Sequence, residues 1–419
     1  MGPARADRIL VFGYAVLTAA AFFGFAIVAL LPVALGLPSR PISVLYRAGV
    51  VAASFVYVWR AVACQRPLLP RHVLWPVGLL TAMLLLRMLW DSLVTPLPLD
   101  LPWDEYWLQV IAFALLPSLP YLLVPPAEAL ALARRLCIAT GAIAVAAIAA
   151  GAYLSVHRFT SGSRLTTDVM NPIGIGEIGV SLFVVCLATP PPRTSPGSGR
   201  IALLLRAAGA VMGVILCIVS ASKGPLLSLG VLSMVMFASR AASLPRHRRI
   251  AELSFATVVL VGLIALGIVL QQHGLLAIYD RFSDIASDRS TAVRLQAWLG
   301  AMGQFDSSPL FGSSFVELST RFYPHNNVLE TMMAVGVGGL LLLLLLLALS
   351  SAASLTVIVR ARQWSWVALL FLQHAISGLL SGSIYRTGAF WISMLMILGV
   401  YRLVQQPTTA VVPAVQPGS

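Results

Sequence analysis

The sequence predicts an all-α integral membrane protein with about twelve transmembrane helices. Of its 419 residues, 59% are hydrophobic and only 10% are charged, and the mean hydropathy is +0.90. Apolar runs of about 20 residues recur along the chain, which is the length that a helix needs to cross the roughly 30 Å hydrocarbon core of a bilayer. Continuous runs also argue against a transmembrane β-barrel, whose strands would alternate polar and apolar residues.

The predicted topology has four parts. Residues 1–271 hold nine spans, 272–326 form one long periplasmic loop with amphipathic helical segments, 327–404 hold three more spans, and 405–419 form a disordered cytoplasmic tail. The apolar stretch after Arg8 is too long for a signal-peptide core, so we expect it to remain as the first span. The predicted spans are 9–34, 43–63, 73–94, 105–124, 136–156, 171–189, 201–220, 224–242, 250–271, 327–358, 364–382 and 387–404.

The distribution of basic residues predicts the orientation. Loops on the side of the N-terminus hold sixteen of the 28 basic residues, and loops on the opposite side hold nine. By the positive-inside rule both termini are expected in the cytoplasm. Basic residues that lie in short loops between apolar segments are typical of membrane topology and not of a surface that binds nucleic acid. Four of the nine outer basic residues belong to the loop 272–326, and this positive charge on the outer side calls for a local function.

That outer loop contains a predicted amphipathic helix at about residues 278–302. Arg294 and Trp298 are four residues apart, as are three successive aspartates, so acidic and basic positions can be grouped on the helix surface. Guanidinium groups suit phosphate oxygens, which makes Arg289 and Arg294 candidates for binding a lipid-borne phosphate. Pairing of arginines with aspartates on a solvated face is the alternative. A divalent cation on the aspartates is a further one, although no metal site is expected. The aspartates are Asp280, Asp284 and Asp288.

His325 is the candidate general base. It precedes Asn326-Asn327-Val-Leu-Glu330, where Asn327 and Glu330 are predicted to form a capping box at the start of the tenth span. The partial positive charge of a helix N-terminus disfavours an imidazolium, so His325 should stay neutral and able to accept a proton. Arg321 lies four residues earlier in the sequence, and Pro324 restricts the approach to the histidine.

Other polar residues of the outer side are weaker candidates. Lys223, the only lysine, lies in the short turn Ser220-Ala-Ser-Lys-Gly-Pro225 and could hold a phosphate or a sugar; an interfacial lysine that extends to water is the alternative. Arg158, Arg164 and Arg386 add external positive charge that could meet an acidic acceptor or belong to plain loops.

Charged residues and cysteines inside the apolar runs receive mostly structural interpretations. Arg87 and Asp91 are four residues apart in the third span and are predicted to pair. Glu177 and Glu330 are expected to face a polar cavity. The four cysteines lie in or beside apolar runs without a CxxC motif, and are expected to be inert. They are Cys64, Cys137, Cys186 and Cys217.

Three motifs occur in a fixed order. They are Ser-Ala-Ser-Lys223-Gly-Pro, then Arg294-Leu-Gln-Ala-Trp298 with Pro309-Leu-Phe-Gly312, then His325-Asn-Asn-Val-Leu with Gly336-Val-Gly-Gly339. In order and predicted topology they resemble the O-antigen ligase and O-antigen polymerase superfamily of bacterial envelope glycan transferases. The family usually has arginine where Lys223 stands, and a second glycine where Ser314 stands.

The resemblance implies an O-antigen ligase in the bacterial inner membrane, with its active site in the periplasm. Its donor would be O-antigen on undecaprenyl pyrophosphate and its acceptor lipid A–core oligosaccharide. His325 would act as the base of an inverting transfer that needs no metal or other cofactor, while basic residues hold the pyrophosphate. The resemblance assigns the pyrophosphate to Arg289, Arg294 and Lys223, and contacts with acceptor or substrate to Arg321, Arg158, Arg164, Arg386 and Asn326.

Three alternatives to the ligase remain open from the sequence. An O-antigen polymerase or a protein O-oligosaccharyltransferase would use the same chemistry, although the second usually carries additional soluble sequence. A transporter or flippase for an envelope lipid belongs to another class. It would be expected to concentrate its charges near the middle of the bilayer and to show repeat symmetry, whereas this sequence concentrates charge in one external loop.

Overall fold

The computed structural model describes residues 3–94, 97, 99, 101–155, 165–188, 196–241 and 289–406. Over these residues the chain is helical and contains no strand. Within these ranges eight helices are long and apolar enough to cross a membrane, and each overlaps a predicted span. The fold is therefore that of an all-α, multi-pass membrane protein. The eight are Asp7–Leu35, Ser39–Ala63, Arg71–Leu93, Ala127–Leu154, Ile201–Ser220, Lys223–Ala241, Asn327–Arg360 and Gly388–Gln405.

The helices are numbered here in chain order. They are α1 (Pro3–Ala19), α2 (Phe25–Val28), α3 (Leu30–Leu35), α4 (Ser39–Ala63), α5 (Arg71–Leu93), α6 (Trp103–Leu108), α7 (Leu116–Ser118), α8 (Ala127–Leu154), α9 (Pro172–Leu187), α10 (Pro196–Ser220), α11 (Lys223–Ala241), α12 (Arg289–Ser307), α13 (Asn327–Arg360), α14 (Ser365–Leu380) and α15 (Gly388–Gln405). A π-helical turn, Ala20–Gly24, joins α1 to α2 within the first apolar stretch.

Several predicted spans differ in form from a continuous helix. The span predicted at 105–124 is broken into α6, a π-helical segment Gln109–Leu115, the short α7 and a 3₁₀ turn Leu119–Leu122. Prolines at 117 and 120 account for the break, because each removes a backbone donor. Spans predicted at 171–189 and 364–382 correspond to helices of 16 residues, α9 and α14. The span predicted at 250–271 lies outside the described residues.

Polar side chains join α9 to α14 in the centre of the bundle. Gln373 donates its amide N–H to the Glu177 carbonyl at 2.9 Å and pairs with Ser181. Ser377 donates to the Glu177 carboxylate. The Glu177 carboxylate, which was expected to face a polar cavity, accepts a hydrogen bond from a hydroxyl of α14. These bonds hold two short helices together where apolar contact alone would not set their register.

Helix α13 contains a break at Gly336, where φ is 68° and ψ is −164°. The break leaves backbone N–H and carbonyl groups without partners inside the helix. The segment that follows α12 forms hydrogen bonds with them. Val337 N–H donates to the Pro309 carbonyl at 2.8 Å, and Ser313 N–H donates to the Met333 carbonyl at 2.9 Å. The half of α13 before Gly336 is therefore fixed by the loop 308–326.

Helix α5 anchors the same loop from another side. The predicted pair is present, with Arg87 Nε 3.6 Å from Asp91 Oδ1. The pair also reaches outside its own helix, since Asp91 Oδ2 accepts from Phe315 N–H at 2.8 Å and Arg87 donates to the Gly312 carbonyl at 3.3 Å. The charges inside this span therefore position the loop that precedes α13.

The helix termini define two ends of the bundle. At one end lie the starts of α11 and α13 and the end of α14, because Asn326 donates to the Leu379 carbonyl at 3.0 Å and Gly224 lies beside Ser381. At the other end lie the ends of α9, α11 and α13, joined by a hydrogen bond from Arg240 to the Leu187 carbonyl and one from Arg362 to the Ser239 carbonyl. His325 belongs to the first end.

Candidate functional site

The loop before α13 is folded around a buried carboxylate, Glu317. Its two oxygens accept four hydrogen bonds of 2.6 to 2.9 Å from the backbone and hydroxyl groups of Ser319 and Thr320. Burial alone would raise the pKa of the Glu317 carboxyl, but these hydrogen bonds outweigh it and hold the pKa below its ordinary value. The turn 317–320 is thus built on an ionised carboxylate.

Helix α12 packs on this turn and carries two of the predicted residues. A Cβ at Gly300 would lie 2.2 Å from a Glu317 carboxylate oxygen, so a larger residue here would have to displace that carboxylate. Trp298 donates its indole N–H to the Pro324 carbonyl at 2.8 Å. That bond fixes the residue directly before His325, and it places Arg294, one turn earlier on α12, close enough for its charge to act on the imidazole.

His325 has a left-handed backbone, with φ of 59°. Its ring centre lies 4.4 Å from that of Tyr323 and 5.6 Å from that of Phe322. The Nδ1 atom is buried, and no described residue supplies it with a hydrogen-bond partner. Burial lowers the pKa of the imidazole, the positive charge of Arg294 lowers it further and Arg386 adds to this, while a hydrogen bond with the Ser381 backbone acts in the opposite direction. The ring is therefore neutral near pH 7.

Arg386 is held beside His325 by aromatic rings. Its guanidinium lies 5.2 Å from the ring centres of both Phe322 and Tyr323, and its Nε donates to the Gln109 side chain. Contact with aromatic faces keeps a cation in place without neutralising it. The sequence predicts for Arg386 an external position and a contact with acceptor or substrate, and it does not single out Gln109. A lone amide in the apolar run of the fourth predicted span is the signal that could have found it.

The predicted capping box at the start of α13 is wrong. The N-cap is Asn326, whose side-chain oxygen accepts from Val328 and Leu329 N–H at 2.9 and 3.1 Å. Glu330 does not reach back to the cap, because its carboxylate accepts from the Ser383 hydroxyl at 2.7 Å and from Ile384 N–H at 2.6 Å. The cap falls on Asn326 because that residue has the extended backbone, φ −153° and ψ 113°, that a cap requires.

The change of cap has consequences for two residues of the site. The side chain of Asn326 is engaged in capping and in the bond to Leu379, so the contact with a substrate predicted for it stays a prediction. Asn327 is the first residue of α13 and is buried, with no described partner for its side-chain amide. The pKa of His325 is lowered, which is the expected direction. The causes are burial and the positive charges of Arg294 and Arg386.

The remaining predicted residues are more scattered. Lys223 starts α11 at the same end of the bundle, next to Gly224, at which a Cβ would lie 3.8 Å from the Ser381 hydroxyl. Arg321 is exposed at the turn before Phe322 and has a left-handed backbone, with φ of 57°. Arg289 is the first residue of α12. Arg158, Arg164 and the three aspartates of the outer loop lie outside the described residues.

No candidate metal centre is present in the described ranges, where no three His, Cys, Asp or Glu side chains form a cluster. The polar groups that do converge on His325 are the two guanidiniums and the Ser381 backbone. Such a site can accept a proton and stabilise a nearby anion.

Comparison of the sequence with models of known protein families gave no match, and a search of the curated proteins gave none either. The class defined by the fold is a multi-pass α-helical membrane protein with a basic, histidine-containing site at one end of the bundle.

Proposed function

We propose that the protein is an O-antigen ligase, which transfers O-antigen polysaccharide from undecaprenyl pyrophosphate to lipid A–core oligosaccharide. The observation that carries this proposal is the neutral His325, which lies near Arg294 and Arg386 directly before the N-cap of α13. A base held next to fixed positive charge suits a reaction that removes a proton and releases a diphosphate.

The proposed step is an inverting displacement at the anomeric carbon. The acceptor hydroxyl oxygen forms the new bond to that carbon and gives its proton to His325. The bond from the anomeric carbon to the pyrophosphate oxygen breaks, and undecaprenyl pyrophosphate leaves as the anion. Arg289, Arg294 and Lys223 neutralise its charge, and the transfer needs neither a nucleotide nor a metal because the sugar–phosphate bond is already activated.

The proposed topology has twelve spans in the inner membrane, with both termini in the cytoplasm and His325 in the periplasm. The excess of basic residues in loops on the side of the termini supports this orientation. Apolar spans hold the prenyl chain, and Arg321, Arg158, Arg164 and Arg386 are available for the acceptor.

The test is a transfer assay with purified full-length protein, lipid-linked O-antigen, and lipid A–core either present or absent. We expect the glycan to move to lipid A–core, and the rate to be unchanged in EDTA. If the glycan became longer on its lipid carrier in the absence of lipid A–core, the protein would be a polymerase and not a ligase. If the lipid-linked donor crossed a vesicle membrane and no glycan was transferred, the protein would be a transporter.

Replacing Arg294 by glutamine should change both the rate of transfer and its pH dependence. Loss of a cation at the leaving diphosphate should lower kcat/KM by about 10²-fold at the optimal pH. Arg294 lowers the pKa of His325, so its removal raises that pKa. Because the neutral imidazole is the active form, activity is lost as the pH falls through this pKa, and the acid limb should move to higher pH. The measurement is kcat/KM against pH.

Arg40→Gln is the matched control for Arg294→Gln. Arg40 is an exposed arginine that pairs with Glu105, and exposed pairs contribute little. Its variant should keep the wild-type rate and acid limb. A lower rate in Arg294→Gln with an unmoved acid limb would contradict the coupling between Arg294 and the base.

A further inference from the structure

Glu330 is a buried carboxylate to which the proposed glycan transfer gives no role. It lies in the first turn of α13 and is 1% exposed. Its oxygens find their partners outside that helix, because Oε1 accepts from the Ser383 hydroxyl at 2.7 Å and Oε2 accepts from Ile384 N–H at 2.6 Å. A carboxylate is costly to bury unless it is hydrogen-bonded. Glu330 is therefore committed to one place, the segment 381–387 between α14 and α15.

The turn 383–387 is built on a residue that Glu330 binds. The Ser383 carbonyl accepts from Arg386 N–H at 3.2 Å and from Thr387 N–H at 3.0 Å. Ser383 N–H in turn donates to the Thr387 hydroxyl at 3.2 Å. Since Ser383 is bonded to Glu330 through its side chain and to Arg386 through its carbonyl, a displacement of Ser383 moves the backbone of Arg386 with it.

The other contact between this segment and the site does not depend on Glu330. Ser381, whose backbone is hydrogen-bonded to His325, donates its own N–H to the Ser377 carbonyl at 2.8 Å. Ser381 is thus held by the end of α14 itself. What the Glu330 carboxylate adds is the position of Arg386, the cation next to His325.

We propose that Glu330 is a positioning residue for Arg386, and that it holds the turn 383–387 so that the guanidinium stays beside His325. The consequence for glycan transfer rests on the proposed function, in which Arg386 is available for the acceptor. The position of Arg386 does not rest on it, and can be measured in a protein that is not turning over.

The substitutions Glu330→Gln and Glu330→Ala differ in whether they keep the bonds to the turn. The carbonyl of a glutamine side chain can accept from Ile384 N–H, and its amide N–H can donate to the Ser383 hydroxyl. An alanine side chain does neither, and it leaves both groups buried without that partner. We therefore expect Arg386 to stay in place in the first variant and to be displaced in the second.

The first test is the rate at which phenylglyoxal modifies Arg386 in the full-length protein, measured by mass spectrometry of its peptides. Arg386 is half-buried, so displacement makes its guanidinium more accessible. We expect Glu330→Ala to raise this rate about tenfold and Glu330→Gln to keep the wild-type rate. Arg360, exposed at the other end of α13, is the internal reference and should react equally in all proteins. An unchanged rate at Arg386 in Glu330→Ala would overturn the proposal.

The second test is a double-mutant cycle on glycan transfer. Glu330→Ala and Arg386→Gln should each lower kcat/KM for lipid A–core about tenfold, and Glu330→Gln should restore most of the rate. The double variant should be within about twofold of Arg386→Gln, because Glu330 acts through Arg386. Losses that add would overturn the positioning role. If the wild type transfers no glycan, the proposed function fails, and the modification rates still decide the role of Glu330.

Thr331→Val is the matched control, because Thr331 is the next residue of α13, is buried and donates to the Asn327 carbonyl of its own helix. It should keep the wild-type modification rate at Arg386. A rise equal to that in Glu330→Ala would show general loosening of α13 and overturn the proposal. If Glu330→Ala does not purify as a monodisperse protein, Ser383→Ala takes its place. That variant removes one of the two bonds, so the rate at Arg386 should rise about threefold.

Discussion

Replacing His325 by alanine should lower the rate of glycan transfer by about 10²- to 10⁴-fold, the range that a positioned general base contributes. The imidazole is neutral because it is half-buried and lies near Arg294 and Arg386, so it can take the proton of an acceptor hydroxyl. The measurement is kcat with lipid-linked O-antigen and lipid A–core, at a pH above the acid limb. His325→Gln should be equally slow, since an amide has similar size but cannot act as the base.

The control for His325→Ala is His72→Ala. His72 is exposed near the start of α5, and its variant should transfer glycan at the wild-type rate. Both variants should elute as the wild type in gel filtration and unfold at a similar temperature. Near-normal kcat in a well-folded His325→Ala protein would remove the proposed base and, with it, the proposed reaction scheme.

Replacing Gly336 by alanine should destabilise the protein by about 3 kcal/mol or more and abolish transfer. The backbone at Gly336 has φ 68° and ψ −164°, a region that only glycine adopts readily and that costs other residues about 1–3 kcal/mol. An added Cβ would also lie 2.4 Å from the Leu310 carbonyl oxygen. That oxygen is a backbone atom, and the neighbouring Pro309 carbonyl is hydrogen-bonded to Val337 at the break. Moving a side chain therefore cannot relieve the clash. The measurement is the apparent unfolding temperature in detergent, followed by the transfer assay.

Gly338→Ala provides the comparison on the same helix. A Cβ there would meet Met83 at 3.5 Å, an ordinary contact distance, and the backbone is helical. Glycine inside a helix costs roughly 0.5–1 kcal/mol relative to alanine, so this variant should unfold at or above the wild-type temperature. If Gly336→Ala were as stable as Gly338→Ala, the break would not be a required feature of α13.

The break explains how a membrane helix can carry a site at its end. The half of α13 before Gly336 begins at the cap Asn326 and presents Glu330 to the loop after α14. On its other side the segment 309–313 is bonded to the backbone around the break. The residues on either side of His325 are therefore held by α12, α13 and α14 together.

Parts of this arrangement were predictable from short-range patterns. Spacing of four residues correctly paired Arg87 with Asp91, and the start of α13 at Asn327 matches the predicted span. The capping box failed although its local pattern was present, because Ser383 and Ile384 compete for the Glu330 carboxylate from more than 50 residues away. A side chain that is buried takes the partner that the fold provides, and the local pattern does not reveal it.

By itself the sequence determined that the protein is helical and crosses the membrane several times, since hydropathy and charge act over the length of one helix. It also singled out His325 and Arg294. Only the tertiary structure brought Arg386 beside His325, tied Trp298 to Pro324 and bonded Glu330 to the loop after α14. Each of these contacts joins distant parts of the chain. Their positions depend on how whole helices pack, which no local pattern of residues encodes.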